Sequence, residues 1–319
     1  MKVYAHDPTS LLPLLESRLP ASIAVVGAIR NNPEAEVFAT FSPPASSPNL
    51  SSPEEWMVVA VVPSARQLRL FHSLEASLNW PTNESTGKST DESTSEPTDH
   101  ERTGNEPTPT PAAIKQAQAT VAAVVLAVLP QRAGYKLGAV HVTWAESLRA
   151  VVGGPAHTPC TTFLSPPAPL APLAPLAPPP PASAPDLDLD LDLDGLVLDH
   201  GRPGDEDLIH EMSGYRTRAW YAAHLAQASV ARARGGPVAW VLTVADGSVG
   251  ALYTLPSFRR RGLAKAVLAH RLARMGADPQ AVPGFQGFCH VEVGNNASEA
   301  MWTGLGWTRG HRVVWIYDE

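Results

Sequence analysis

Cysteine is nearly absent from this 319-residue chain, which contains only Cys160 and Cys289. Two cysteines cannot build a disulfide framework, and they cannot complete a zinc site by themselves. Cations are also scarce, with 24 Lys and Arg against 31 Asp and Glu and a net charge of −7. So few cations argue against sequence-independent binding of nucleic acid, because phosphate counterions would have little to replace them. We expect a protein of a reducing compartment, without a metal site and without a nucleic-acid partner.

Long apolar runs are missing as well. The longest, Val121–Leu129, is far too short to cross a bilayer. The N-terminus contains the acids Asp7 and Glu16 and no continuous apolar core, so it resembles neither a secretory signal nor an Arg/Ser-rich transit peptide. The sequence therefore predicts a cytoplasmic chain with no membrane partner.

Two low-complexity segments divide the chain. Residues 79–111 are dominated by Ser, Thr, Glu and Pro and contain almost nothing apolar, which predicts a disordered insertion. Residues 163–195 hold a Pro-Ala-Leu repeat followed by alternating Asp and Leu, which predicts an extended acidic linker. Its proline-rich part is the kind of segment that SH3 or WW domains bind.

The remaining sequence predicts two domains that mix helices and strands. Residues 1–78 plus 112–155 form the N-terminal α/β domain, and residues 196–319 form the C-terminal one. In the first domain the pattern predicts helices at Ser10–Arg18, Pro111–Leu129 and Ala145–Val151, and strands at Ile23–Ile29, Glu36–Phe41, Trp56–Val62 and Ala139–Trp144.

The C-terminal domain has a clearer pattern. It predicts helices at Glu206–Ser213, Trp220–Arg234, Leu263–Met275 and Ala297–Leu305, and strands at Val238–Val244, Val249–Leu255, Phe288–Val293 and Arg312–Tyr317. Asp246-Gly247 is typical of a hairpin turn between the first two strands.

The stretch Tyr253–Ala264 points to phosphate binding. A predicted strand ends, Pro256 turns the chain, and a loop with three arginines and Gly262 opens directly into a helix. The first amides of a helix have no intrahelical partners, and the helix dipole favours an anion there. Gly262 permits close backbone approach, and the arginines add charge-assisted donors. There is no Walker motif and no dinucleotide glycine triplet.

The spacing Arg259-x-x-Gly262-x-Ala264 resembles the element with which GNAT N-acyltransferases hold the CoA pyrophosphate. Downstream, His290–Ser298 followed by Met301–Trp307 is similar to the GNAT strand, Asn-containing turn and helix ending in Leu-Gly-aromatic. The resemblance implies an α/β (α+β) GNAT fold, with a mixed central sheet flanked by helices, in residues 196–319. Within the superfamily, Pro237-Val-Ala-Trp240 and Thr254–Arg259 look closest to the glycine N-acyltransferase-like group. That group implies a degenerate GNAT-like N-terminal half, and by analogy it would also permit a mitochondrial location.

The resemblance also implies site roles. The residues that would hold acyl-CoA are Tyr253, Thr254, Leu255, Arg259, Arg260, Arg261, Gly262, Leu263, Ala264, Lys265, Asn295 and Asn296. The backbone of Leu255 would serve the thioester oxyanion. Ser248 stands where glycine N-acyltransferases have a basic Glu, so Glu292 becomes the candidate general base and His290 the next. Trp302 stands where many GNATs have a proton-donating Tyr.

The leading hypothesis is transfer of an acetyl or longer acyl group from acyl-CoA, used as co-substrate, to the amine of a small molecule or amino acid. No permanently bound cofactor is expected. One alternative is a catalytically weak or inactive acyl-CoA-binding protein, since Ser248 and Trp302 depart from the family pattern. The other is an interaction scaffold recruited through the proline-rich segment.

Overall fold

The computed structural model describes residues 2–43, 55–78, 108–129, 134–152, 154–156, 159–166, 196–214, 216–276 and 287–317. Most of the predicted insertion and of the predicted linker, including the proline-rich repeat, lies outside these residues. The chain forms two compact units. Unit 1 comprises Met1–Thr161 and Arg309–Glu319, and unit 2 comprises Thr162–Thr308.

Unit 1 is built on a sheet with the strand order β1-β2-β3-β4-β5-β12. Its strands are β1 (Tyr4–His6), β2 (Glu36–Ala39), β3 (Met57–Val62), β4 (Gln67–His72), β5 (Lys136–His141) and β12 (Thr308–Ile316). Its helices are α1 (Leu12–Glu16), α2 (Ile23–Asn31), α3 (Pro111–Val128) and α4 (Val142–Val152). Neighbouring strands run antiparallel except β4 and β5, which pair in parallel through Gln67 and Leu68.

Helix α3 is long and apolar enough to span a membrane by length and composition. Its buried residues Val121, Val124 and Val125 nevertheless pack with the strands of unit 1 in one hydrophobic core. Thr110 caps the helix, since its hydroxyl oxygen accepts from the amide of Ala113 at 3.2 Å. The apolar character of α3 is therefore explained by the packing of its buried residues in the core of unit 1.

Unit 2 contains a four-stranded antiparallel sheet in the order β10-β9-β8-β7 and a separate pairing of β6 with β11. The strands are β6 (Cys160–Leu164), β7 (Val197–His200), β8 (Ala228–Ala233), β9 (Gly236–Thr243), β10 (Val249–Thr254) and β11 (Phe288–Glu292). The helices are α5 (Asp205–Ser213), α6 (Arg218–His224), α7 (Leu263–Gly276) and α8 (Asn296–Gly304). One face of the four-stranded sheet packs against α7, and the other against α5 and α6.

The order of elements repeats along the chain. A strand, two helices, three strands, a helix, a strand, a helix and a last strand occur from β1 to β6 and again from β7 to β12. The last strand of each half is grouped with the other unit: β12 pairs with β5 in unit 1, and Thr162–Leu164 of β6 lie beside β11 in unit 2. The unit boundaries thus differ from the predicted domain 196–319, which kept the last strand with its own half.

Two predicted elements have the wrong type. Residues 23–29 form the helix α2, although the sequence predicted a strand there. Six of its residues are buried, so the run is apolar on nearly every side and its periodicity does not separate helix from strand. The helix predicted over Trp220–Arg234 stops at His224, and β8 follows. Five of the six residues of β8 are buried, so no alternation marks it as a strand.

The sequence prediction also omitted β1, β4, β6 and β7. Strand β6 begins before the predicted linker and includes its first two residues, Phe163 and Leu164, which are buried. The remaining predicted helices and strands occur with boundaries shifted by a few residues.

Candidate acyl-CoA site

Strand β10 carries a bulge at its centre. Its pairing with β9 joins Gly250 to Leu242 and then Tyr253 to Trp240, so the register shifts between them. Ala251, inside the shift, has a φ of 51°, in the left-handed region. A bulge leaves its extra residue unpaired and bends the strand. The backbone of Ala251 and Leu252 is therefore outside the regular β10–β9 ladder.

The loop after β10 is held by its own backbone. The amide of Leu255 donates to the carbonyl of Val238 at 2.9 Å, and the amide of Phe258 donates to the carbonyl of Leu255 at 2.8 Å. The Leu255 amide, which the sequence analysis assigned to the oxyanion, is therefore already engaged within the sheet. The unpaired backbone of this strand lies upstream of Leu255, at the bulge around Ala251.

The start of α7 has the geometry of an anion site. Arg260 and Gly262 have φ values of 61° and 79°, and alternating left-handed residues turn successive amides toward one concavity. The first hydrogen bond of the helix runs from the Ala266 amide to the Gly262 carbonyl at 3.0 Å. The amides of Leu263, Ala264 and Lys265 precede it, so they have no intrahelical acceptor. The predicted residues Arg260 to Lys265 are thus brought together around one helix end.

The three arginines of the loop have different surroundings. Arg259 turns back to β10, where its Nε donates to the Thr254 carbonyl at 3.1 Å and its guanidinium lies 5.5 Å from the Tyr253 ring. Arg260 is exposed, and Arg261 is half-buried with its guanidinium 5.9 Å from the Phe258 ring. Arg259 therefore fastens the loop to the strand, while Arg260 and Arg261 lie nearer to the helix start along the chain.

Strands β10 and β11 adjoin each other but belong to different hydrogen-bonded sets. No ladder joins the two strands in the described part of the chain, so the bulge of β10 lies on the edge strand of its sheet. On β11, Cys289 and Val291 pack in the same core as Leu263 and Val267 of α7. Side chains alternate along a strand, so His290 and Glu292 point to the other face.

Ser248 has a structural role. Its amide and its hydroxyl both donate to Oδ1 of Asp246, at 3.0 and 2.6 Å, and Ser248 is 5% exposed. These bonds close the turn between β9 and β10, where Gly247 has a φ of 81°. Ser248 is therefore a turn residue.

The two candidate bases on β11 have different surroundings. Glu292 is the last residue of the strand and is exposed, and its carbonyl accepts from the Asn295 amide at 3.0 Å. His290 is half-buried, and its Nδ1 lies 3.1 Å from Oγ1 of Thr162 on β6. The Phe288 ring meets the His290 ring edge-on at 5.5 Å. Of these two side chains, only that of His290 makes a hydrogen bond within the part of the chain that the structure describes.

The predicted residues of α8 and its cap have different surroundings. Asn295 caps the helix, with Oδ1 accepting from the Ser298 amide at 3.2 Å, and Asn296 is the exposed first residue. Trp302 is 4% exposed and packs against Trp307 at 4.4 Å between ring centroids. Trp302 is therefore a core residue, and α8 offers no proton donor at that position.

On the opposite face, α6 and its preceding loop form an aromatic wall. The Trp220 and His224 rings stack at 3.9 Å, and His224 Nδ1–H donates to the Trp220 carbonyl at 2.7 Å. Burial lowers the pKa of His224. The neighbouring core contains Tyr221 and Trp240, with Tyr253 stacked on Trp240 at 5.3 Å. This wall lies on the same side of the sheet as the end of β10.

Sequence reasoning missed two elements of this site. The bulge at Ala251 has no signal in residue type, because alanine is not typical of a left-handed backbone. Thr162 lies far from β11 in sequence, and no pattern connects them. Gly262, Arg260 and Arg261, in contrast, were recognisable because a glycine and cations before a helix have a local physical meaning.

Comparison with known proteins identifies the family. A family model described as the acyl-CoA N-acyltransferase verG N-terminal domain matches residues 1–167, more than half of the chain. The chain belongs to the acyl-CoA N-acyltransferase verG family. A second model, described as FR47-like protein, matches residues 230–316 of this verG-family chain. No curated protein gives a significant match to it.

Solved structures resemble the verG-family chain over most of its length. A Drosophila protein shares 12% identity with a TM-score of 0.57, covering 99% of this chain and 98% of its own. A tandem GNAT protein from the clavulanic acid biosynthesis pathway shares 11% identity with a TM-score of 0.44, covering 99% and 97%. A GCN5-related N-acetyltransferase from Kribbella flavida shares 16% identity with a TM-score of 0.38, covering 66% and 76%.

These comparisons and the element order give this verG-family chain a GNAT fold, with mixed sheets flanked by helices. Acyl-CoA is the co-substrate of such acyltransferases, as the name of the family states. The bulge of β10 and the helix start of α7 are the features of unit 2 that suit this ligand.

Proposed function

We propose that this chain transfers an acetyl or longer acyl group from acyl-CoA to the amine of a small molecule or amino acid, as in the glycine N-acyltransferase-like group that it resembles. The observation that carries the proposal is the start of α7, where left-handed Arg260 and Gly262 gather free amides beside Arg261. Such an end stabilises the pyrophosphate of CoA by hydrogen bonds and by the helix dipole.

The reaction needs a stabilised thioester oxygen and a neutral amine. The bulge at Ala251 takes backbone amides out of the β10–β9 ladder, on the strand that adjoins β11. Amides of this kind suit the developing oxyanion of the thioester. The aromatic wall of Trp220 and His224 lies on the same side of the four-stranded sheet as Tyr253 at the end of β10. It favours an acceptor with an apolar or aromatic part.

We place the acyl-CoA site in unit 2 and not in unit 1. The helix that follows the meander of unit 1 is α3, and its first turn is closed by Thr110 and begins with Pro111, which has no amide. Between β4 and β5 of unit 1, the Arg69 guanidinium fills the space beside Gly138, where an added Cβ would come within 2.0 Å of Nη1. Both features oppose a second CoA site of the same kind.

Calorimetric titration with acetyl-CoA and with a longer acyl-CoA tests binding. In the Ala264→Glu variant the new carboxylate lies in the first turn of α7, where the dipole stabilises it while it repels the phosphates. We expect at least a roughly tenfold weaker affinity, about 1.4 kcal/mol. Ala273→Glu, on an exposed position near the other end of α7, is the matched control and should bind as the wild type does. Equal affinity of all three proteins would contradict the placement.

A second candidate function is acyl-CoA binding without efficient catalysis. It is favoured by Ser248, which is tied to Asp246, and by Trp302, which is buried in the core. Thiol release from acyl-CoA, measured with a panel of small amines and amino acids, separates the two. If the protein binds acyl-CoA but releases no thiol with any of the amines, the result supports the second candidate function.

A further inference from the structure

We propose that Arg259 is a positioning residue of the acyl-CoA site: its side chain holds the loop before α7 in the shape that binds pyrophosphate, and it does not itself bind the phosphates. The inference rests on the proposed acyl-CoA binding and deepens it by giving the arginines of the loop separate roles. Three observations support it: the left-handed backbone of Arg260, the exposure of the Arg260 side chain, and the attachment of Arg259 to β10.

Arg260 has a backbone conformation that residues other than glycine rarely adopt. Its φ is 61°, and Gly262 follows with a φ of 79°. The glycine meets no steric cost there, whereas the Cβ of an arginine comes too close to the following carbonyl oxygen. Such a conformation persists only where the surrounding structure holds it. The concavity at the start of α7 therefore depends on contacts that keep Arg260 left-handed.

The side chain of Arg260 does not supply these contacts. It is exposed, and within the described part of the chain it makes no hydrogen bond and no ion pair. After Arg260, the bond from the Ala266 amide to the Gly262 carbonyl at 3.0 Å fixes the chain by starting the helix. The contacts made before Arg260 therefore decide whether the loop keeps its shape without a ligand.

Backbone hydrogen bonds hold the loop only as far as Arg259. The Phe258 amide donates to the Leu255 carbonyl at 2.8 Å, and the Arg259 amide donates to the Pro256 carbonyl at 3.3 Å. The second of these bonds is long, so it restrains the chain weakly. The side chain of Arg259 is then the last attachment before the left-handed residue.

This side chain joins the loop to the strand that it leaves. The Nε of Arg259 donates to the Thr254 carbonyl at 3.1 Å, and its Nη2 lies 3.5 Å from the hydroxyl oxygen of Tyr253. The guanidinium carbon is 5.5 Å from the centre of the Tyr253 ring, within the range of a cation–π contact. The guanidinium of Arg259 thus points back to β10 and not toward the amides of α7.

The Tyr253 ring is a firm support for this attachment. It is half-buried and stacks on Trp240 with 5.3 Å between ring centres and 24° between the ring planes. Trp240 is 0% exposed and lies in a close-packed core, which leaves the stacked ring little freedom. Contacts with this ring therefore restrict Arg259 and the backbone that continues to Arg260.

A loop that is held before the ligand arrives binds it more tightly. A ligand that must order a loop loses the free energy of ordering it, and preorganisation removes that loss. In this division of roles the amides of Leu263, Ala264 and Lys265 bind the pyrophosphate, and Arg259 keeps them gathered through the backbone of Arg260.

Calorimetric titration of the full chain with acetyl-CoA tests whether Arg259 positions the loop or binds phosphate. Arg259→Ala is made in two backgrounds, Arg260→Asn and Arg260→Gln, which carry the same neutral amide group. Asparagine adopts a left-handed backbone readily, and glutamine does not. We expect Arg259→Ala to raise the Kd about tenfold in the Arg260→Gln background and about twofold or less in the Arg260→Asn background.

The two roles give opposite results in this comparison. An arginine that bound phosphate directly would lose the same affinity in both backgrounds, and an equal change in both, including none, would overturn the inference. Tyr253→Leu should raise the Kd in the Arg260→Gln background and add little to Arg259→Ala, because both changes remove the same attachment. Full additivity of the two changes would also contradict it.

Amide hydrogen exchange tests the attachment without a ligand. The Phe258 amide should exchange faster in Arg259→Ala than in the wild type, while the amides of β8 keep their rates. An unchanged rate at Phe258 would overturn the role of Arg259, whatever the chain binds. Failure of the proposed function has a different signature, which is a wild-type chain that does not bind acetyl-CoA.

Discussion

At the scale of single residues, Glu75 of unit 1 is the carboxyl most affected by its surroundings among the described residues. It is buried, and its Oε1 accepts from the His72 amide at 3.0 Å and from Trp144 Nε1–H at 2.7 Å. Burial raises the pKa of Glu75 to about 8 and lowers the pKa of His72 and of His141 to about 4. All three side chains are therefore uncharged near neutral pH.

The raised pKa of Glu75 makes stability depend on pH. A group with a higher pKa in the folded state stabilises the fold fully below its unfolded pKa, here 4.5, and that stabilisation is lost as pH rises toward 8. Glu75→Gln keeps the acceptor for Trp144 and cannot ionise. We expect the free energy of unfolding of Glu75→Gln, relative to wild type, to rise between pH 4.5 and 8 and then level off.

Urea unfolding at a series of pH values measures this difference. Glu146→Gln, an exposed change on the same helix as Trp144, is the control and should follow the wild type at every pH. Because His72 and His141 remain in both proteins, the loss of stability that their lowered pKa causes as pH falls from 6.5 toward 4 should be shared. A pH-independent difference for Glu75→Gln would mean that Glu75 is not neutral in the fold.

The residue scale also shows which parts of the site the sequence could predict. Gly262 and the arginines are recognisable because their chemistry is local, and the structure gathers them at one helix start. The oxyanion donor was assigned to Leu255, whose amide is engaged by Val238, because strand pairing and bulges are not encoded in residue type. Thr162 could not be assigned, because its contact with His290 joins positions 128 residues apart.

At the scale of elements, a buried ion pair ties α5 to β8. Arg232 on β8 donates to both carboxylate oxygens of Asp205 at 2.9 and 2.6 Å, and to the His200 carbonyl at 3.0 Å. The side chains of Arg232 and Asp205 are 4% and 8% exposed. The hydrogen bond to Asp205 is the main reason that the pKa of Arg232 is raised. Asp199 is a second, more distant partner, with its Oδ2 3.7 Å from Arg232 Nε. Removal of Asp205 would therefore leave the buried Arg232 with this weaker carboxylate contact alone.

We therefore expect Asp205→Ala to destabilise the protein by up to about 3–5 kcal/mol, the usual cost of breaking a buried ion pair. The double variant Asp205→Leu with Arg232→Met removes both charges and should be more stable than Asp205→Ala alone. Asp207→Ala is the matched control, since it removes a carboxylate of the same helical turn whose partner, Arg218, is exposed. An exposed pair contributes about 1 kcal/mol or less.

Chemical denaturation followed by circular dichroism compares the three variants. If Asp205→Ala and Asp207→Ala lower the free energy of unfolding by the same amount, solvent reaches Arg232 and replaces its partner. A double variant less stable than Asp205→Ala would mean that the pair contributes more than the packing that replaces it.

The elements that sequence patterns predicted incorrectly share one physical property. The helix α2 and the strand β8 are buried on nearly all sides, so neither has the polar face whose period separates helix from strand. Elements with one exposed face, such as α7, were placed within a residue or two. Burial on every side, and not weak propensity, limits what the sequence shows about these elements.

At the scale of the whole molecule, two halves with the same element order contribute their last strands to each other's units. Strand β12 is antiparallel to β5, with Val313 opposite His141 and Val314 opposite Val140. Strand β6 supplies Thr162 and the Ser165 contacts to β11. No local pattern could reveal this arrangement, because each strand looks like the natural end of its own half. The consequence is that neither half of the sequence contains a complete unit.

We expect fragments 1–195 and 196–319 to be unstable when produced separately, because each lacks one strand of the unit that it should form and retains a strand of the other. An unpaired sheet edge exposes backbone donors and acceptors and promotes aggregation. Co-expression should restore a one-to-one complex whose thermal unfolding resembles that of the intact chain, since both missing strands are then present. Size-exclusion chromatography and calorimetry measure complex formation and unfolding.

A third protein, residues 1–307, separates the two exchanged strands. It keeps β6 but lacks all of β12, so unit 1 should lose stability while unit 2 retains the Thr162–His290 contact. We therefore expect it to melt earlier than the intact chain and still to bind acyl-CoA at a temperature below that transition. If 196–319 alone unfolds cooperatively and binds acyl-CoA with the affinity of the intact chain, then β6 is not required by unit 2.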